Sequence, residues 1–228
     1  MNKDIKYIIE NFIDAEELCR ITNISNDTLD QLITKKMIPN FSYKIETEST
    51  ISSPLGDREV IIDVKKYFPR STINLVLQNL NLDEVDSFKQ KIKNEFINAF
   101  CKHDDKSFAY GNNILENGKV NLQKLEEAFE VEWEYYINGV YGICTLNATG
   151  TEIAKKEIAV KKLISFIENN TENELTAEKK QELLQLNLQY NEISNLFSPY
   201  QRKSSSRGKY LDEILQKHDL KELIKNYN

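Results

Sequence analysis

The stretch DAEELCRITNISNDTLDQLITKKMIPNFSY, residues 14–43, decides how this chain is read. Asp14 can accept backbone N–H groups at a helix start, Glu16 and Glu17 suit the positive end of the helix dipole, and Leu18 and Ile21 begin an apolar stripe. That pattern predicts a helix over 15–22. Asn23 tolerates the left-handed backbone that ends a helix, Ile24 can plug the angle beyond it, and Ser25 or Asn26 can cap a second helix. In that second helix Leu29, Leu32 and Ile33 recur at three- and four-residue steps, and Pro39 is expected to stop it. Two short helices around a tight turn result, with a strand at FSYKI, residues 41–45, behind them.

Working outward, Ile5, Ile8, Ile9 and Phe12 share one helical face and predict a short helix over 3–12 that packs on this head. EVIIDV, residues 59–64, has strand character, and TESTISSPLGDR before it reads as a long loop through Pro54 and Gly56. The head, residues 1–69, would then carry a small β-hairpin.

Residues 70–228 read as a helical body. Ser71 is expected to cap a helix through Leu80, and a helix capped near Asn81 carries Phe88, Ile92, Phe96 and Phe100 up to Cys101. A loop with one short helical turn covers 103–119. Helices are expected over 121–138, 151–169, 176–197 and 209–226, with Gly139 and Pro199 as stops. The expected fold is mainly α: a head of two helices and a hairpin, then a helical bundle.

The order E-E-L-x-x-x-x-x-I-S-x-x-T-L followed by K-K-M-I-P, residues 16–39, resembles the helix-turn-helix of the MerR group of bacterial regulators. That resemblance implies a second helix that enters the DNA major groove and a hairpin wing. Thr28, Lys35, Lys36 and Lys44 would face the duplex, with a homodimer supplying affinity. Where that group places an arginine and aromatics after its Thr-Leu pair, this chain has Asp30, Gln31 and Leu32. YYINGVYGICT at 135–145, EIAKKEIAVKKL at 152–163 and LFSPYQRKSSSRGKYLDEI at 196–214 are similar to a second, uncharacterised bacterial family. Its members join a MerR-like head to a helical region and are often labelled natural product biosynthesis proteins. This implies a cytoplasmic bacterial context and carries no catalytic residue over.

Charge weighs against generic nucleic-acid binding. The formal net charge is -6, and between Met1 and Ile45 six cations face seven acids, whereas phosphate contact needs a basic face. The 40% hydrophobic content supports a folded core, three unpaired-looking cysteines suit a reducing cytoplasm, and no run is long enough to span a membrane. No Gly-rich phosphate loop, Ser-His-Asp order or Cys-x-x-Cys pair is present, and neither a metal nor a cofactor is expected.

Two segments stand out as binding candidates. Trp133, Tyr136, Gly139, Tyr141, Gly142 and Cys144 put aromatics around permissive glycines, either as pocket walls or as core filler at a helix end. Arg202, Lys203, Ser205, Ser206, Arg207 and Lys209 precede a helix and could meet an anion or an acidic partner, or form a solvated linker. His103, Asp104 and Asp105 beside Cys101 point in different directions on a helix end and read as surface rather than as metal ligands. The expected role is a non-catalytic accessory or regulatory protein that acts through protein or ligand recognition, with a protein partner favoured over DNA. DNA regulation and small-molecule binding or catalysis at Trp133–Cys144 remain as alternatives.

Overall fold

The computed structural model describes residues 1–80, 85–111, 113–115, 117–172 and 174–227. The chain is mainly helical with one small antiparallel sheet. It opens with α1 (Lys3–Asn11), β1 (Phe12–Asp14), α2 (Ala15–Thr22) and α3 (Asn26–Thr34), then β2 (Tyr43–Ser52) and β3 (Arg58–Pro69).

Local chemistry sets these boundaries. The Asp14 carboxylate accepts the Glu17 N–H at 2.8 Å and starts α2, while Ser25 Oγ accepts the Thr28 N–H at 3.1 Å and starts α3. Asn23 ends α2 with a φ of 55°. Ile24 fills the corner beyond it. Helix α3 stops earlier than Pro39 predicts, because Lys36 turns left-handed at φ 56°. The Lys36 and Met37 N–H groups then bond back to Ile33 and Leu32 at 2.9 and 2.8 Å, a Schellman closure with lysine where glycine is usual.

The sheet order is β1-β3-β2. Strand β1 covers only the base of β3, pairing Phe12 to Asp14 with Pro69 to Tyr67. The β2–β3 ladder, by contrast, continues unbroken from Tyr43↔Tyr67 to Ser52↔Arg58. The expected long loop is therefore mostly strand, and only residues 53–57 turn, with Gly56 at φ 87°. Ser and Thr suggest a loop by composition, yet Thr and Ile are good strand formers once a partner strand lies beside them.

The body comprises α4 (Thr72–Asn79), α5 (Val85–Lys102), α6 (Leu122–Ile137), α7 (Val140–Cys144), α8 (Gly150–Asn169), α9 (Ala177–Asn191), α10 (Pro199–Arg202), a π-helical turn (Arg207–Asp212) and α11 (Glu213–Lys217). The predicted turn within 103–119 is a 3-10 turn over Lys106–Phe108. Ser71 makes no capping bond at α4, and the expected cap near Asn81 lies outside the described residues. Helix α9 ends at Asn191 rather than near 197, and the expected last helix is broken into the π-turn, α11 and a 3-10 turn over Lys221–Leu223.

Two clusters fill the head: Leu18, Leu29, Ile38 and Phe68, joined by Val76 of α4, and Tyr7, Phe12, Tyr43 and Tyr67 beneath α1. Although Ile9 was expected on the packing face of α1, it is exposed, and Tyr7 takes the inward place. The body has one core around Phe88, Phe96, Phe129 and Trp133 and another around Leu163, Leu183, Tyr190 and Leu215. Among the described residues no helix is long and apolar enough to cross a membrane.

Candidate functional site

Beyond Lys66 the hairpin is a two-stranded ribbon exposed on both faces. On one face Glu46, Glu48 and Thr50 lie opposite Val64, Ile62 and Val60; on the other, Thr47, Ser49 and Ile51 lie opposite Asp63, Ile61 and Glu59. Ile62 keeps 66% of its surface in solvent. From residue 45 to 65 the ribbon holds five acids, Glu46, Glu48, Asp57, Glu59 and Asp63, and two bases, Arg58 and Lys65.

A groove of about 220 Å³ runs between α3 and β3, where Asp14, Glu16, Asp30 and Asp63 outnumber Lys65 and Lys66. Thr28 is half-buried at the start of α3 with its hydroxyl 2.9 Å from Ser25 Oγ. Lys35 and Lys36 stand at the far end, roughly 10 Å along the axis. Lys36 lies 3.4 Å from Glu134 and Lys44 lies 2.7 Å from Glu46, so two of the four duplex-facing candidates already meet carboxylates.

The aromatic segment is divided among three tasks. Trp133 and Tyr136 are buried in the body core and stack on one another at 5.6 Å. Gly139 and Gly142 form the joint with the head. A Cβ on Gly139, at φ 80°, would come within 2.4 Å of the Phe41 carbonyl oxygen, and one on Gly142 within 2.4 Å of Pro69. Ser42 Oγ donates to the Gly139 carbonyl at 2.9 Å, and the Asn40 N–H donates to Ile137 at 2.9 Å. These glycines admit the head's own backbone, not a ligand. The Cys144 carbonyl accepts from Ser194 Oγ at 3.1 Å.

Only Tyr141 reaches a polar cluster. Its hydroxyl and that of Tyr110 donate to the two oxygens of the Glu132 carboxylate, the latter at 3.0 Å. Burial pushes both phenols up, and Glu132 adds to the rise, so both stay protonated donors. Glu157 is held above the usual carboxyl range by burial; Lys161, 3.7 Å away, opposes this and Glu132 reinforces it. An open cleft of about 600 Å³, walled by Phe108, Tyr110 and Val131, borders Glu132 and Glu157. Such a cleft can take a cation or a hydrogen-bond donor. Sequence reading passed over Glu132 within a run of acids, although its place beside the apolar stripe of Leu125, Phe129 and Tyr136 was the available signal.

The basic loop is internally engaged. Arg202 makes a two-pronged bond to Asp212 at 2.7 and 3.1 Å and donates to the Lys225 carbonyl at 2.7 Å. Arg207 is fully buried, donates to Asn195 O, Asn191 Oδ1 and Ser194 O, and lies over the Tyr190 ring. Its burial pulls the guanidinium pKa down. Ser205 Oγ donates to the Arg202 carbonyl at 2.7 Å, and Ser206 pairs with Tyr190 Oη at 2.8 Å. Of the six candidate residues Lys203 and Lys209 are exposed, as is Ser204 between the loop's arginines. The anion-binding arrangement expected of Arg202 and Arg207 is thereby corrected to a structural clamp. Asp105 pairs with Lys162 at 2.5 Å, and among the described residues no three His, Cys, Asp or Glu side chains are placed to hold a metal.

Neither the curated proteins nor the solved structures contain a significant match. A family model described as a family of unknown function, DUF6058, matches residues 87–219, which span α5 through the cleft and the arginine clamp to the end of α11. That match covers more than half of the chain, and the protein belongs to the DUF6058 family.

Proposed function

We propose that this protein is a non-catalytic recognition factor, an accessory or regulatory component of a bacterial biosynthetic pathway, whose head is a winged helix-turn-helix turned to a protein partner. The order α1-β1-α2-α3-β2-β3 with the sheet β1-β3-β2 supports a helix-turn-helix with a hairpin wing. The observation that carries the choice of partner is the acidity of the ribbon and of the groove beside α3. A wing and a reading helix that hold DNA present cations to phosphates, and most non-specific affinity comes from that contact. The test is fluorescence anisotropy of labelled duplex DNA titrated with the full chain at low and physiological salt. No binding at low salt is expected. Binding that weakens with salt and is lost in the double variant Lys35→Glu, Lys36→Glu would install the DNA-regulator reading instead.

The cleft at Glu132 and Glu157 supports a second reading, a small-molecule site for cationic ligands, because the Glu132 carboxylate meets the aromatic walls of Phe108 and Tyr110 there, with Glu157 engaged by Lys161 at 3.7 Å. A ligand that binds only the folded form raises the melting temperature. Spermidine and tetramethylammonium are the probes. A rise that Glu132→Gln removes would establish the site, and no rise with either would end this reading.

A further inference from the structure

We propose that the outer edge of β2 is a receptor for a basic, extended segment of a partner protein, which joins the sheet as a fourth strand beside Glu46 and Glu48. The proposal rests on the protein-recognition reading of the head and names the chemistry of its partner.

The first observation is the edge itself. In the order β1-β3-β2 the strand β2 is terminal, and among the described residues no other strand pairs with its outer side. It is ten residues long, its register with β3 has no bulge, and it contains no proline. Natural edge strands are usually shortened, bulged, interrupted by proline or charged, because a straight edge presents a row of backbone donors and acceptors to any passing strand. Strand β2 has only the charges, Lys44, Glu46 and Glu48, which turn away like-charged strands and not an oppositely charged one. Here the edge has been kept long and regular, and pairing with an extended peptide satisfies those groups.

The second observation is the alternation of side chains along that edge. Residues 43–52 read YKIETESTIS. Lys44, Glu46, Glu48 and Thr50 fall on one face; Ile45, Thr47, Ser49 and Ile51 fall on the other. An added strand places its own side chains in the same alternation. Those beside Glu46 and Glu48 gain from a positive charge, and those beside Ile45, Thr47 and Ile51 gain from a β-branched side chain. The matching segment therefore alternates Lys or Arg with Val, Ile or Thr. Lys44 Nζ already lies 2.7 Å from Glu46 on the same face, so Glu48 is the less committed carboxylate and an incoming ammonium group competes with Lys44 at Glu46.

Charge also selects against a second copy of the chain. Two β2 edges side by side would gather four carboxylates, Glu46 and Glu48 from each, with only two ammonium groups, Lys44 from each, so a strand of lysines or arginines matches the edge better than a second copy does. The outer edge of β3 is less suited to a basic strand, since Arg58, Lys65 and Lys66 stand on it with Glu59 and Asp63.

The test uses the full chain and three labelled peptides read by anisotropy at low salt. One alternates lysine with valine and threonine. The second has the same sequence with alternate backbone nitrogens methylated, so that its charge is unchanged but one edge cannot donate. The third carries glutamate for lysine. The first is expected to bind and to slow amide exchange along residues 44–51. The methylated and acidic peptides are expected to bind at least about tenfold more weakly, as is the first peptide to the double variant Glu46→Lys, Glu48→Lys. Both glutamates are exposed, so a circular dichroism spectrum suffices to show that this variant folds. Equal binding of the methylated peptide would overturn strand addition in favour of charge attraction alone. Slow exchange of 44–51 without peptide, together with a doubled mass in sedimentation, would assign the edge to a second copy and overturn the proposal. Failure of the first peptide to bind would also overturn it. The duplex titration above decides the broader reading separately: a negative duplex result leaves protein recognition standing with another partner, and a positive one removes it.

Discussion

The loop from Pro199 to Asp212 and the ribbon from Tyr43 to Lys66 use polar side chains in opposite ways. In the loop Arg202, Arg207 and Ser206 bond inward, to Asp212, to the 191–195 backbone and side chains, and to Tyr190, while Ser205 donates to the Arg202 carbonyl. In the ribbon Glu48, Asp63, Ile61 and Ile62 face solvent. A cationic cluster in sequence is thus no guide to a surface site when buried carbonyls lie nearby to be satisfied. A run of strand formers with charges on both faces, conversely, leaves its chemistry outside because nothing among the described residues packs over it.

The largest effect should come from the loop. Arg207→Met leaves the Ser194 carbonyl and the Asn191 side-chain oxygen without the guanidinium donor, and leaves the half-buried Asn195 carbonyl with only the Ser194 hydroxyl at 3.2 Å. A loss of about 3 kcal/mol or more is expected, since buried acceptors without partners are penalised individually. Urea unfolding followed by circular dichroism reads it. A loss below about 1 kcal/mol would show that the guanidinium is not what holds 191–195 in place and would erase the contrast.

Two glycines sharpen the same comparison with one chemistry. Gly139 and Gly56 both have positive φ, at 80° and 87°. A Cβ at Gly139 meets two head carbonyls within 2.6 Å, whereas at Gly56, in the ribbon turn, nothing lies within 4 Å. Gly139→Ala should therefore combine backbone strain with displacement of the head–body joint, about 2–4 kcal/mol, while Gly56→Ala should carry only the strain, about 1 kcal/mol. Thermal unfolding of both variants provides the check. Equal losses would mean that residues 40–42 can move away from the glycine at little expense.

Much of the head was legible because its signals are local. Asp14, Ser25 and Asn23 act within one helical turn of the places they define, and they do what their side chains permit. The body helices were legible from apolar spacing, as with Phe88 to Phe100 on α5 and Leu125 to Trp133 on α6. What stayed hidden depends on distant partners. TESTIS reads as loop until EVIIDV lies beside it, and Gly139 reads as a pocket glycine until Phe41 is brought against it. Glu132 looks like one acid among many until Tyr110 and Tyr141 converge on its two oxygens. The break of the last helix is local by contrast: Asp219 turns left-handed at φ 57° and the Leu220 N–H bonds back to Leu215 at 2.9 Å, which closes α11.

A smaller, pH-dependent effect tests the cleft. A carboxyl whose pKa is raised on folding binds its proton more tightly in the folded state. Its contribution is therefore favourable below the ordinary carboxyl range and is lost as pH climbs through the raised folded value. Glu157 is such a group, with burial as the chief cause. Glu157→Gln should melt slightly above the parent at neutral pH, with the gain vanishing toward about pH 4. Melting curves across that range are the measurement. A variant that melts lower at neutral pH would show that the 3.7 Å pairing with Lys161 outweighs burial.

The smallest effect on stability should fall where the binding effect is largest. In the ribbon the double variant Glu46→Lys, Glu48→Lys gives up one exposed ion pair, Lys44 with Glu46, and leaves the opposing Val64 and Ile62 in solvent as before. Exposed pairs contribute little, so the urea midpoint should move by no more than the equivalent of about 0.5 kcal/mol. A ribbon held together by its backbone ladder and by no covering core has little side-chain packing to lose, which is why its charges are open to use by a partner. If the variant unfolds as readily as Arg207→Met, the glutamates hold the ribbon in shape. The ribbon would then resemble the loop rather than oppose it, and its acidity would no longer argue for a basic partner.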